Sequence, residues 1–189
     1  MNGRKARPRD LIVTLDDATG EIYSAFLIEE EGTASTFRAL KEVFGRHSLP
    51  MSLYTDRGAQ YFRTAETGGK IDRGRLTQVG RALEQLGVEH MGTLFAPGRK
   101  PLRAGVSDAS GPPAEGAQTP IPHGALDEIL CVQEERQVGN DNCVSYRTLK
   151  LKIPESPMRP HFVRARIKVH VYSDGSHAVF SSAPMHRPL

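Results

Sequence analysis

The sequence predicts an α/β chain in two parts, a mixed sheet with flanking helices followed by a small all-β barrel. Three observations predict it. Residues 11–95 alternate β-type apolar runs with stretches of helical apolar period; residues 96–125 hold six of the thirteen prolines and five glycines; and residues 163–171 alternate apolar with polar side chains. The expected divisions are an N-terminal remnant (1–10), a first domain (11–95), a disordered Pro/Gly-rich insert (96–125) and a basic β-barrel (126–189).

Leu11 to Leu15 is a β-type run closed by Asp16-Asp17-Ala18-Thr19-Gly20, and Glu21 to Ile28 resumes it, which makes a hairpin. Asp16 and Asp17 fall in its turn, where Asp is favoured by hydrogen bonds to its own backbone. From Thr33, the side chains Phe37, Leu40, Val43 and Phe44 share one helical face, and Gly45 and Pro50 bracket the end. Ser52 to Thr55 is a short strand ending at Asp56. Val79, Ala82, Leu83 and Leu86 mark a second helix stopped by Gly87, and Val88 to Leu94 is another strand. After the insert, Cys143 to Tyr146, Leu149 to Ile153, Val163 to Val171 and His177 to Phe180 are the strands of the β module.

With 189 residues, 38% of them apolar, the chain suits one domain or two small ones and excludes collagen, coiled coil and a wholly disordered tail. No apolar run approaches a membrane span and the basic start MNGRKARPRD is no signal peptide, so a cytoplasmic protein without a membrane partner is expected. Cys131 and Cys143 have neither disulfide-framework nor zinc spacing. The net charge of +3 hides an asymmetry: residues 145–189 carry eight Lys/Arg against Glu155 and Asp174. A basic tail half points to a polyanion, with nucleic acid the usual one, or to no more than a solubilising surface.

Asp56 stands where a strand meets a loop, and a carboxylate at a strand terminus is well placed to ligate a hard cation such as Mg²⁺; an Asp in a polar turn is the plainer alternative. Arg164, Arg166, Lys168 and His170 project from one face of a strand at intervals of about 7 Å, near the phosphate spacing of a nucleic-acid strand, or form an ordinary wet face.

The ordered series LIVTLDDATGEIY (11–23), the helix from Thr33 to Phe44, LYTDRG (53–58) and GRALEQLGVEH (80–90) resembles the catalytic core of the DDE transposases and retroviral-type integrases, which has an RNase H-like fold. Residues 126–180 look like the small barrel that follows the core in some insertion-sequence transposases. The resemblance implies DNA as partner, Mg²⁺ as cofactor, and an Asp, Asp, Glu trio that holds two ions for DNA cleavage and strand transfer. It gives Asp56 the second position and leaves the first and third without counterparts, so Mg²⁺ is expected not to be held stably. The third belongs in a helix within the Pro/Gly-rich insert. Pro101 to Gln118, read one base forward with GC-rich codons, yields an amphipathic helix with Ser-Glu-Arg in the expected place; the same shift after Phe180 yields a barrel-closing end. The expectation is an inactive, frame-shifted transposase remnant, able to bind DNA weakly through its basic strand and to co-assemble with an intact relative. Loss of the covering helix should expose Val88 and Met91 and leave the first domain marginal. The competing expectations are a nuclease that recruits Asp17, Glu29 or Glu66 beside Asp56, and a plain nucleic-acid-binding barrel.

Overall fold

The computed structural model describes residues 9–64, 71–72, 74–93, 104–107, 123–155 and 161–181. They form two compact units, residues 1–131 and 132–189, so the division falls a few residues beyond the expected 126.

In the first unit, β1 (Asp10–Asp16) and β2 (Ile22–Ile28) are the expected hairpin, with Leu11 opposite Leu27 and a slip of register at Thr14/Leu15. Its turn is built by Asp16, whose Oδ1 accepts from the Ala18 amide (3.0 Å) and Oδ2 from the Thr19 hydroxyl (2.7 Å). Those two hydrogen bonds, the hydroxyl's foremost, hold the Asp16 carboxyl below the ordinary carboxylate range.

Helix α1 (Thr33–Arg46) starts where Ser35 Oγ accepts from the Gly32 amide (2.9 Å). Its buried face is the one read from the sequence, Phe37, Leu40, Val43 and Phe44, joined by Ala39. Strand β3 (Ser52–Thr55) is followed by α2 (Gln78–Gln85) and β4 (Glu89–Gly92). Thr77 caps α2 by accepting from the Gly80 amide (3.1 Å), and Gly87 ends it in the left-handed region (φ 71°). Thr77→Ala is expected to cost about 1 kcal/mol, read as faster amide exchange in the first turn of α2; unchanged exchange would show the cap to be idle.

The insert is not structureless throughout. Ala104–Ser107 forms β5, which completes a sheet of order β2-β1-β5-β3-β4, running parallel to β1 and antiparallel to β3. Between β1 and β3 both neighbours offer unpaired backbone groups, and any chain that fills the gap satisfies two ladders at once. Small residues with no apolar period do this as well as a patterned strand. A second unexpected element, α3 (His123–Ile129), belongs to the first unit: Lys41 pairs with Asp127 (2.7 Å), and the Arg81 guanidinium donates to the carbonyls of Ile129 (3.1 Å) and Cys131 (2.7 Å) at and just past its end. Val88 is buried, contrary to expectation, and Met91 is half-buried.

The second unit contradicts the barrel. Among the described residues its strands form two open sheets, a three-stranded one of order β10-β9-β6 and a two-stranded one of β7 and β8. Here β6 is Val132–Gln137, β7 Cys143–Tyr146, β8 Leu149–Lys152, β9 Arg166–Val171 and β10 His177–Ser181. Closure needs every strand hydrogen-bonded on both sides; β6, β10 and the β7–β8 pair each keep an edge. A core of Val138, Val144, Tyr146, Ile153, Ile167 and Val169 takes the place of a barrel interior. The overall class is therefore mixed α/β with open sheets.

Candidate functional site

Strand directions decide which side chains meet. β1 starts at the end of the sheet where β2 finishes, and β3, opposed to β1 across β5, finishes there too. Asp10, Glu31 and Asp56 thereby come to the same end.

Asp56 leaves β3 in a tight turn, its Oδ1 accepting from the Gly58 amide at 2.9 Å. The strand end is fixed by Thr93, whose amide (2.8 Å) and hydroxyl (3.1 Å) both donate to the Thr55 carbonyl. Beneath it the Thr55 hydroxyl donates to the Asp56 carbonyl (3.0 Å) and lies 2.9 Å from His90 Nε2. With the hydroxyl proton so used, Nε2 is the donor in that contact. Burial pushes His90 down to about 4, so the ring is neutral at pH 7.

Gly58 lets the chain fold over itself: a Cβ there would sit 2.8 Å from the Gln60 amide and 3.0 Å from Asp56 Oδ1. Gln60 Nε2 in turn donates to Glu31 Oε1 (2.7 Å). Burial first, then the fields of Asp56 and Asp10, hold the Glu31 carboxyl above its usual value. Burial likewise pushes the Tyr61 phenol up to about 12, with Glu31 and Asp56 adding to it.

Asp17 and Glu29, two of the three carboxylates proposed from the sequence as partners of Asp56, are not the ones the fold sets near it. Asp17 is exposed in the hairpin turn, Glu29 is exposed beyond β2, and Glu66 lies outside the described residues. Glu31 and Asp10 are the neighbours, and only the sheet order reveals them; the run Glu29-Glu30-Glu31 is the nearest signal in the sequence. Paired Mg²⁺ needs near-octahedral oxygen sets with shared carboxylates. Among the described residues no group of three His, Cys, Asp or Glu side chains is placed to hold a metal ion. Among the described residues, then, the carboxylates near Asp56 do not make up the shared oxygen set of a two-ion centre.

The cationic row is also rearranged. Arg164 precedes β9, in a left-handed turn (φ 61°) where its amide donates to the Val138 carbonyl (2.9 Å). Arg166 is exposed and Lys168 half-buried on one face of β9, with Glu135 of β6 directly opposite Lys168. His170 is 7% exposed, its ring 4.3 Å from that of Phe180. A strand's wet face is wet only where its neighbours carry small side chains; Phe180 and Tyr172 cover His170. Lys150 is tied to Asp141 at 2.5 Å. Arg166 and Lys168 are what remains together of the four. No helix among the described residues is long and apolar enough to cross a membrane.

No protein-family profile matches the chain. It is similar to the "Putative transposase y4bF" of Sinorhizobium fredii, 26% identical over 206 residues that cover 89% of this chain and 45% of that protein. It is also similar to the transposase for insertion sequence IS1202 of Streptococcus pneumoniae, 28% identical over 79 residues, 42% of this chain and 17% of that one. The chain thus spans less than half the length of these relatives. The relationship to insertion-sequence transposases is distant and partial.

Proposed function

We propose that the chain is a transposase-derived DNA-binding protein, a remnant that has lost DNA cleavage and strand transfer. One observation carries this reading: similarity to a transposase over 89% of the chain has to include both sides of the Pro/Gly-rich stretch and part of each unit. That match runs over 206 positions, more than the 189 residues available, so the relative has internal residues with no counterpart here. The reading includes a damaged central segment, frame-shifted across residues 96 to about 120 and again after Phe180. The codons of Pro101 to Gln118 test it: they must spell a Ser-Glu-Arg-containing helix one base forward, and any other string ends the frame-shift reading.

In this reading Asp56 is a surviving family carboxylate with no reaction to serve. The purified chain is expected to give no nicking of supercoiled DNA with Mg²⁺ above background. Nicking that disappears in Asp56→Ala would overturn the reading.

DNA contact falls to Arg166 and Lys168 of β9, with Arg164 alongside and His170 as support behind the face. Two phosphate contacts predict a slope of log K against log salt of about −2, since each contributes about −0.9. Arg166→Ala with Lys168→Ala should flatten that slope by about 2 and weaken binding alike for all sequences. An unchanged slope would remove these two residues from the interface. Co-assembly with an intact transposase belongs to the same reading and is checked by co-purification of the two chains.

A further inference from the structure

A cavity of about 640 Å³ opens beside β4, between that strand, α2 and the loop that follows Asp56. Three arginines line it: Arg57, Arg63 and Arg75. Among the described residues none of their guanidinium groups has an ion-pair or hydrogen-bond partner, and Arg57 Nε is shut off from solvent with no acceptor. A buried N–H without an acceptor is costly, and a guanidinium fork fits a phosphate.

The same cavity has an aromatic floor. The Phe62 ring stacks on His90 (4.2 Å, 17° between planes), and Tyr61 meets His90 edge-on at 6.0 Å. Gly92 makes room for it: a Cβ there would lie 2.9 Å from the Phe62 ring. The floor is thus set before any ligand arrives. A second cavity of about 790 Å³ has Phe62, Arg63 and Arg75 in its lining as well.

Asp72, Glu84 and Glu89 also line the first cavity and balance its arginines in charge. That mixture suits neither a simple anion nor the two phosphate rows of a duplex. Carboxylates accept N–H groups from base amino groups, and the Watson–Crick edge is open to them only when a base is unpaired. Arginines for phosphate, a ring to stack on and acceptors for base amino groups are together the recognition chemistry of a single strand.

We propose that this groove binds a short unpaired stretch of DNA, with phosphate on Arg57, Arg63 and Arg75 and a base against Phe62. The site is made of first-unit residues alone, so it does not rest on the second-unit cations.

The test is fluorescence anisotropy of the full chain with a labelled mixed-sequence 12-nucleotide strand and with the same sequence as a duplex, at one salt concentration. The single strand is expected to bind about tenfold more tightly. Arg63→Ala with Arg75→Ala, both exposed and outside any described network, should abolish that preference while changing duplex affinity less than twofold. Equal affinity for the two forms, an unchanged preference in the double variant, or equally effective competition by poly-glutamate would each overturn the proposal. Duplex binding with the expected salt slope but no preference for single strands leaves the transposase-derived reading standing alone. Preference for single strands without measurable duplex binding does the reverse.

Discussion

Replacing Phe37 with alanine is expected to cost the first unit about 3–5 kcal/mol, the range for removing a buried aromatic ring. Phe37 is 1% exposed and belongs to the buried face of α1, with Ala39, Leu40, Val43 and Phe44. A domain's whole stability is about 5–15 kcal/mol, so this loss takes about a fifth of it or more. The sheet beneath has little in reserve, because Leu11, Ile22 and Leu27 are already 44%, 61% and 59% exposed. Hydrogen exchange reads the result directly: amides of α1 and β1 should lose protection by about two to four orders of magnitude at 1.36 kcal/mol per tenfold. Retention of wild-type protection would mean that the helix is held by something other than its apolar face.

Acid should weaken the same unit through His90. The ring titrates near 4 in the folded chain, against the 6.5 of an unperturbed histidine, because burial opposes its charge. The unfolded chain therefore takes up the proton first as the pH falls. Stability that is full above pH 6.5 is lost as the pH drops toward 4, by about 3 kcal/mol in all at 1.36 kcal/mol per unit. Amide exchange of β3 and β4 as a function of pH should show this slope, and His90→Gln should remove it while the carboxylates go on titrating. A slope that survives in His90→Gln would assign the acid sensitivity to Glu31 and its neighbours. At the alkaline end the sign reverses: Tyr61, raised to about 12, stays neutral in the fold while the unfolded phenol ionises near 10, so stability falls between those values.

Much of the first unit was legible because local signals and tertiary packing agree there. Phe37, Leu40, Val43 and Phe44 recur at helical spacing and are the buried face; Gly87 stops α2 where a left-handed residue is required. Asp16 was correctly read as a turn residue, since both its oxygens bond within the turn. β6 escaped notice because VQEERQ has no apolar alternation; Glu134 and Arg136 point to the core side, where Glu134 accepts from the buried Tyr146 hydroxyl at 2.9 Å. The alternation from Val163 promised a strand three residues too early, because Arg164 turns through positive φ to reach Val138.

The candidate site was legible only in part. Asp56 could be placed at a strand end from its own neighbourhood, but Glu31, 25 positions earlier in the chain, could not be placed beside it. That pairing depends on β3 running opposite to β1, which depends on β5 lying between them.

The sequence by itself determined where helices α1 and α2 and most of the strands lie, which faces those helices bury, and the likeness to a transposase. Those are properties of residue spacing, written within a dozen positions of one another. Only the tertiary structure decided that the strands of the second unit stay open, that β5 occupies the middle of the first sheet, and that His170 is covered while Arg57, Arg63 and Arg75 gather at one groove. Strand order and closure are set by backbone hydrogen bonds between distant segments, and those bonds carry no side-chain signature.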